Sequence, residues 1–208
     1  MRRMQSAHQV LMERTDLDST SWVEHHHGWA QEMFAQTDAD RMLRDLLWAS
    51  RDRLEPATAC PVRGTRSWCW FGRGFAGESH YADPVEVPAF VSVPWLLALR
   101  AWVSIEAGCD FDACLFNFYP DGMAWCDNHA DNEKNIDSTI ATLSLGASRV
   151  ITFQGLRNVE RKSFPLESGD LFIVGGETQK RWLHSIPAEP EITEPRLSLT
   201  FRRCLDPM

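Results

Sequence analysis

The residues of this chain best equipped for chemistry are a histidine and an aspartate two apart, in Asn128-His129-Ala130-Asp131, and a further histidine, His184, 53 residues beyond. On an extended segment, residues i and i+2 point to the same face, so His129 and Asp131 can reach one ion together. Two imidazoles and a carboxylate fill one side of a metal and leave its other positions open. Non-haem iron(II) oxygenases use that arrangement to admit a cosubstrate and dioxygen side by side. The three residues do not settle the matter alone. Zinc accepts the same donors, a His-x-Asp pair arises by chance, His184 can be a buried histidine satisfied by a carbonyl, and Asp131 can be a turn or cap residue.

The final stretch carries more information. Arg196, Ser198, Thr200 and Arg202 alternate with Leu197, Leu199 and Phe201. A strand over these residues turns two arginines to one face and three apolar side chains to the other. If the polar face points inward, two guanidiniums are costly to bury without anions. A dicarboxylate is their natural partner, because each guanidinium grips a carboxylate bidentately. The alternative is an edge strand with a solvated polar face.

Read in order, Asn117-Phe118-Tyr119-Pro120-Asp121-Gly122, His129-Ala130-Asp131-Asn132-Glu133, Thr142 to Gly146 with Arg149 and Phe153, Ser168-Gly169-Asp170-Leu171, His184-Ser185-Ile186-Pro187 and Arg196 to Arg202 resemble the AlkB family of iron(II)- and 2-oxoglutarate-dependent dioxygenases. The resemblance covers about residues 110–203 and extends faintly upstream through Pro61 to Gly72 and Pro94-Trp95, where the family has its nucleotide-recognition lid. Its specific part is the arginine pair six apart on the last strand. It implies that His129, Asp131 and His184 bind Fe(II), and that Asn117, Tyr119, Arg196 and Arg202 hold the two ends of 2-oxoglutarate with Ser198 beside them. The family commonly has Asn at the Ser198 position and often a basic residue where this chain has Phe118. The implied reaction couples decarboxylation of 2-oxoglutarate by O2, giving succinate and CO2, to hydroxylation of a C–H bond. On a base N-methyl group the hydroxylated product sheds formaldehyde. The cofactor supplies reactivity and the protein supplies placement.

The resemblance implies an alkylated DNA or RNA partner, presented as a flipped or single-stranded base. Trp68, Trp70, Phe71 and Tyr81 fall in the expected lid and are candidate stacking surfaces, although a core role suits any one of them equally. Glu133 alternates with Asp131 onto the metal side and resembles a family position that contacts the damaged base, the alternative being a solvated loop glutamate; the two carboxylates together favour a cationic base such as N1-methyladenine or N3-methylcytosine. The alternative is hydroxylation or demethylation of a protein or small molecule on the same scaffold. A binding module with a structural or lost metal is the reading outside enzymes.

The elements that must position these residues fall into two textures. Met42, Leu43, Leu46, Leu47 and Leu54 recur near helical spacing after Thr37 or Asp38, predicting a helix over 38–54. A second helix starts after Pro94 and runs from Trp95 to about Ala107, where Gly108 ends it. Residues 58–92, rich in Gly, Pro and aromatics, read as irregular strands and loops. From Cys109, short β-rich runs alternate with turns: 113–119, 138–145, 149–154, 163–166, 171–174, 181–186 and 196–203. The expected fold is α+β, with a double-stranded β-helix (jelly-roll) core, N-terminal helices and a lid packed on it. The expected division is a helical extension over 1–57, lid and supporting helix over 58–108, and oxygenase core over 109–208, in one compact unit.

The chain has 208 residues, 44% apolar and 24% charged, enough for a buried core. The net charge of −8 counts against a protein that coats nucleic acid non-specifically. Two basic islands soften the objection: residues 60–77, with Arg63, Arg66 and Arg73 and no acid, and residues 149–162, with Arg149, Arg157, Arg161 and Lys162 against Glu160. Arg149 and Arg161 are candidates for contact with a nucleic-acid backbone, or for solvated faces. The basic start is followed by no apolar signal region, and no stretch approaches a membrane span. The six cysteines form no CxxC pair and read as reduced thiols, mostly packed. A cytoplasmic monomer is expected, nuclear in a eukaryote. His25-His26-His27 reads as a surface run, since three adjacent residues cannot all face one ion on a regular element.

Overall fold

The structure, a computed structural model, describes residues 11–33, 55–56, 66–72, 94–132, 135–157 and 159–205. The predicted helix 38–54 lies outside them. In chain order the elements are β1 (Leu11–Asp16), β2 (Ser21–His27), α1 (Trp29–Met33), β3 (Glu55–Pro56), β4 (Ser67–Gly72), α2 (Pro94–Ala107), β5 (Ala113–Tyr119), β6 (Cys126–His129), β7 (Ile140–Gly146), β8 (Arg149–Gly155), β9 (Arg161–Leu166), β10 (Leu171–Gly176), α3 (Thr178–Arg181), β11 (Trp182–Ile186) and β12 (Arg196–Arg202). They form a major sheet in the order β1-β2-β10-β7-β12-β5-β4-β3 and a minor sheet in the order β6-β11-β8-β9. All the pairings are antiparallel. This is the expected jelly roll.

One correction concerns the N-terminus. Within the stretch read as a helical extension, the described residues supply three strands of the major sheet, β1, β2 and the two-residue β3, and a helix of only five residues. Their polarity hides the strand signal. β2 is Ser-Trp-Val-Glu-His-His-His, whose alternation rests on imidazoles rather than aliphatic side chains. β1 lies at the sheet edge with its side chains almost wholly exposed. In the expected lid region, residues 67–72 form β4, an inner strand pairing β3 and β5.

The helix after Pro94 runs to Ala107, and Gly108, at φ +60°, ends it in a conformation that suits glycine. Leu96, Leu99 and Val103 bury one helix face against the outer side of the major sheet, on Phe71, Phe116, Leu197, Leu199 and Phe201. A second cluster fills the space between the sheets with Val23, Phe153, Leu166, Phe172, Val174 and Trp182. β12 is central, between β5 and β7, so its polar face cannot be the solvated face of an edge strand. No helix among the described residues is long and apolar enough to cross a membrane. None of the described cysteines forms a disulfide, and four of the five are buried.

Candidate active site

His129 ends β6 and His184 lies directly opposite it on β11. Their rings sit 4.2 Å apart. Asp131 follows β6 and closes the triad. Its Oδ1 is 3.8 Å from His129 Nε2 and its Oδ2 is 3.8 Å from His184 Nε2. One donor atom from each residue lies within 4.8 Å of the others, a space for a single ion. His129 Nδ1 donates to the Asp127 carbonyl at 2.8 Å, which fixes the tautomer and leaves Nε2 for metal. The Asp131 N–H donates to Gln179 Oε1 at 2.9 Å, so α3, just ahead of β11, holds the third ligand in place.

The electrostatics suit a cation. Burial alone would raise the Asp131 carboxyl, but Arg202, His184 and His129 hold it down at about 2. Burial and the neighbouring His129 push His184 down to about 3, so it stands neutral as a ligand must. Burial would also depress His129, but the Cys126 sulfur, Asp131 and the Asp127 carbonyl outweigh it and raise it to about 9.

Beside the triad, Arg196, Ser198, Thr200 and Arg202 line the pocket together with Asn117 and Tyr119 of β5. The ladder explains the grouping, since Arg196 pairs with Tyr119 and Ser198 with Asn117. Arg196 is 1% exposed and donates through Nη2 to Ser144 Oγ at 2.9 Å. Its Nε and Nη1 find no hydrogen-bond partner among the described residues. A guanidinium so buried, with a neutral hydroxyl for a partner, fits a carboxylate ligand. Burial pushes the Tyr119 phenol up to about 12, so it stays a hydrogen-bond donor at neutral pH. Arg202 contacts Asp131 at 2.6 Å and stacks 5.3 Å from the Trp70 ring centre. The donor set therefore fits both Fe(II) and 2-oxoglutarate.

Other candidates fall differently. Trp68 and Trp70 pair with Asn117 and Leu115 and so share the pocket's side of the sheet, but they are buried, at 5% and 9% exposure. Phe71 points to the opposite side, 4.7 Å from Phe116 in the core, and does not reach the pocket. Tyr81 and Glu133 lie outside the described residues. Arg149, a candidate for backbone contact, is instead buried at 1% exposure. It donates to the carbonyls of Asp121, Ala124 and Pro187 and to Glu189, pinning the loop before β6 to the loop after β11. Arg161 is exposed and donates to Gln154. Arg66 is buried, lines the pocket and donates to Asn117 Oδ1 at 2.7 Å. Sequence reasoning placed Arg66 in a basic island and left Gln179 unnoticed. No local motif marks either role, because each depends on a contact with a distant strand or loop.

Comparison with known proteins agrees with this geometry. The model of the 2OG-Fe(II) oxygenase superfamily matches residues 5–202. The chain is 31% identical over 176 residues to alpha-ketoglutarate-dependent dioxygenase alkB homolog 3 of Rattus norvegicus, a match covering 78% of this chain and 57% of that protein. It is 33% identical over 190 residues to DNA oxidative demethylase ALKBH2 of Mus musculus, covering 83% of this chain and 78% of that protein. The match with the rat protein thus spans a little over half of that relative's length. In fold, the structure of OsALKBH1 superposes with a TM-score of 0.63 at 17% identity, covering 92% of this chain and all of that one. A Pseudomonas putida prolyl-4-hydroxylase gives 0.51 at 17% identity, covering 89% and 94%. With the two histidines on paired strands, Asp131 just beyond them and the arginine-lined strand beside them, the chain belongs to the 2OG-Fe(II) oxygenase superfamily and, within it, to the AlkB homologues.

Proposed function

We propose that this protein removes alkyl groups oxidatively from nucleic-acid bases such as N1-methyladenine and N3-methylcytosine, using Fe(II), 2-oxoglutarate and O2 and yielding formaldehyde, succinate and CO2. The observation that carries the reading is the match along most of the chain to a protein named as a DNA oxidative demethylase. The pocket supports it with a metal triad and an anion-binding strand in one cavity.

His129, Asp131 and His184 hold the iron. Arg196 and Arg202, with Asn117, Tyr119 and Ser198, hold the carboxylates of 2-oxoglutarate and orient it. Bound iron supplies the oxidising power that the side chains lack. Burial of the arginines strengthens their grip on the carboxylates, because little water competes for them. Trp70 backs the Arg202 guanidinium through its ring. Recognition of the base is assigned to Tyr81, Glu133, Trp68 and Trp70; Phe71, packed in the core, is excluded. The partner is alkylated DNA or RNA with a flipped or single-stranded base, and the protein acts as a cytoplasmic monomer, nuclear in a eukaryote.

The net charge of −8 favours a second reading, hydroxylation of a protein or small molecule. Incubation with Fe(II), 2-oxoglutarate, ascorbate and a methylated oligonucleotide, followed by mass spectrometry, separates the two. A loss of about 14 Da, one methylene, that vanishes in His129→Ala establishes the dealkylase. Succinate without any change in the oligonucleotide moves the search to the second class.

A further inference from the structure

The β1–β2 hairpin carries a second set of metal-ligating side chains, none of which lines the iron pocket. The reading of His25-His26-His27 as a surface run does not survive. Alternation along β2 turns His25 and His27 to the inner side of the sheet, His25 making an edge contact with Phe172. His26 turns to the helical side, 3.3 Å from Glu106. His25 and His27 stack with ring centres 3.7 Å apart. Asp170, just before β10, brings Oδ2 to 2.7 Å from His25 Nε2, both side chains almost wholly buried. Glu13, directly across the ladder from His25, brings Oε2 to 3.8 Å from His27 Nε2. Donor atoms of His25, His27 and Asp170 lie within 4.8 Å of one another, the same limit the iron triad meets.

A hydrogen bond explains the His25–Asp170 pair by itself, since Asp170 also accepts the N–H groups of Gly28 and Glu167. It does not explain His27. The buried Nε2 of that ring finds no hydrogen-bond partner among the described residues, and its approach to Glu13 is too long for one.

We infer that His25, His27 and Asp170, with Glu13 as the fourth ligand, form a second binding site for a divalent transition-metal ion of the zinc class. Two imidazoles and two carboxylates make a full tetrahedral set, and closed sets of that kind serve structure rather than catalysis. At zinc–ligand lengths of about 2.0–2.2 Å, neighbouring donors stand roughly 3.3 Å apart. The ion replaces the proton between His25 and Asp170, opening that contact by about half an ångström and closing the His27–Glu13 contact by as much. It clamps the edge hairpin β1–β2 to the start of β10, the strand that carries Phe172 and Val174 into the iron pocket.

The test uses the full chain with His129→Ala and His184→Ala, which removes both imidazoles of the first triad, and zinc(II) as the probe. After equilibration and gel filtration this chain retains one zinc equivalent and melts a few degrees higher with zinc than without. Adding His27→Gln abolishes both effects. A second readout leaves the cluster intact: bound zinc shields the peptide containing His25 and His27 from diethyl pyrocarbonate. Zinc retained in full by the His27→Gln chain, or absence of retention and shielding in its parent, overturns the inference. Neither result bears on the dealkylase reading, whose iron ligands are different residues.

Discussion

Arg202 and Asp131 meet at 2.6 Å inside the pocket, Nη2 to Oδ1, with side chains only 2% and 8% exposed. The contact joins the two halves of the active site. Arg202 ends the central strand of the major sheet, and Asp131 follows the edge strand of the minor sheet. A residue assigned to the cosubstrate therefore sets the charge of a residue assigned to the metal.

Removing one member of a buried ion pair leaves the other charge uncompensated. Arg202→Met is expected to destabilise the metal-free protein by about 3–5 kcal/mol. Added divalent metal should recover part of that loss, because it supplies Asp131 with a new cation. Denaturant unfolding with and without metal reads both effects; a loss that metal leaves untouched would refute this account of the pair.

Arg196 makes no contact with the triad in the structure, so its substitution should separate cosubstrate binding from metal binding. Arg196→Met is expected to raise the KM for 2-oxoglutarate roughly 10- to 100-fold, the value of a lost charged hydrogen bond. Iron affinity should stay the same. Succinate formation and metal titration measure the two quantities, and equal losses in both would contradict the assignment.

Gln179 lines the pocket and accepts the backbone N–H of Asp131, the residue assigned to the metal. Gln179→Leu is expected to weaken iron binding about tenfold, as losses of outer-shell partners do. An iron titration with an unchanged Kd would reduce Gln179 to a packing residue.

Phe71 is completely buried against Phe116. Phe71→Ala should cost about 3–5 kcal/mol of stability. The KM for a methylated oligonucleotide should not change at a temperature where the variant is folded. A selective rise in that KM would restore Phe71 to the substrate site.

Asp18 sits in the β1–β2 turn, where it accepts the backbone N–H groups of Thr20 and Ser21 and the indole N–H of Trp182 at 2.8 Å. Burial works against its ionised form, but these donors outweigh burial and hold the carboxyl well below the usual range. A lowered folded value means that its stabilisation is present above the unfolded value of about 3.9 and disappears as pH falls through the folded one. Asp18→Asn should therefore lower stability at pH 7 and flatten the decline between about pH 4 and the acid limit. Thermal melts across pH 2–7 show the difference, and parallel curves would count against it.

Some of this site was legible in the sequence because the rules involved are local. The strict alternation of Arg196 to Arg202 determined that both arginines share a face, since successive side chains on any strand point to opposite sides. The His-x-Asp spacing did the same for His129 and Asp131. The helix from Pro94 to Ala107 was readable from its proline start and glycine stop. Strand β2 was not, because histidines stand where aliphatic residues usually mark the buried face.

The order of triad and arginines along the chain, with the resemblance they carry, is the sequence's own contribution. Tertiary structure alone decided that β12 is central, that Arg149 braces two loops from within, and that Asp170 reaches back to His25. The physical reason is range. Asp170 lies 145 residues from its histidine and Arg149 40 residues from Glu189. Periodicity orients a side chain relative to its own strand, but the neighbour it meets is set by how distant strands pair and how the two sheets pack.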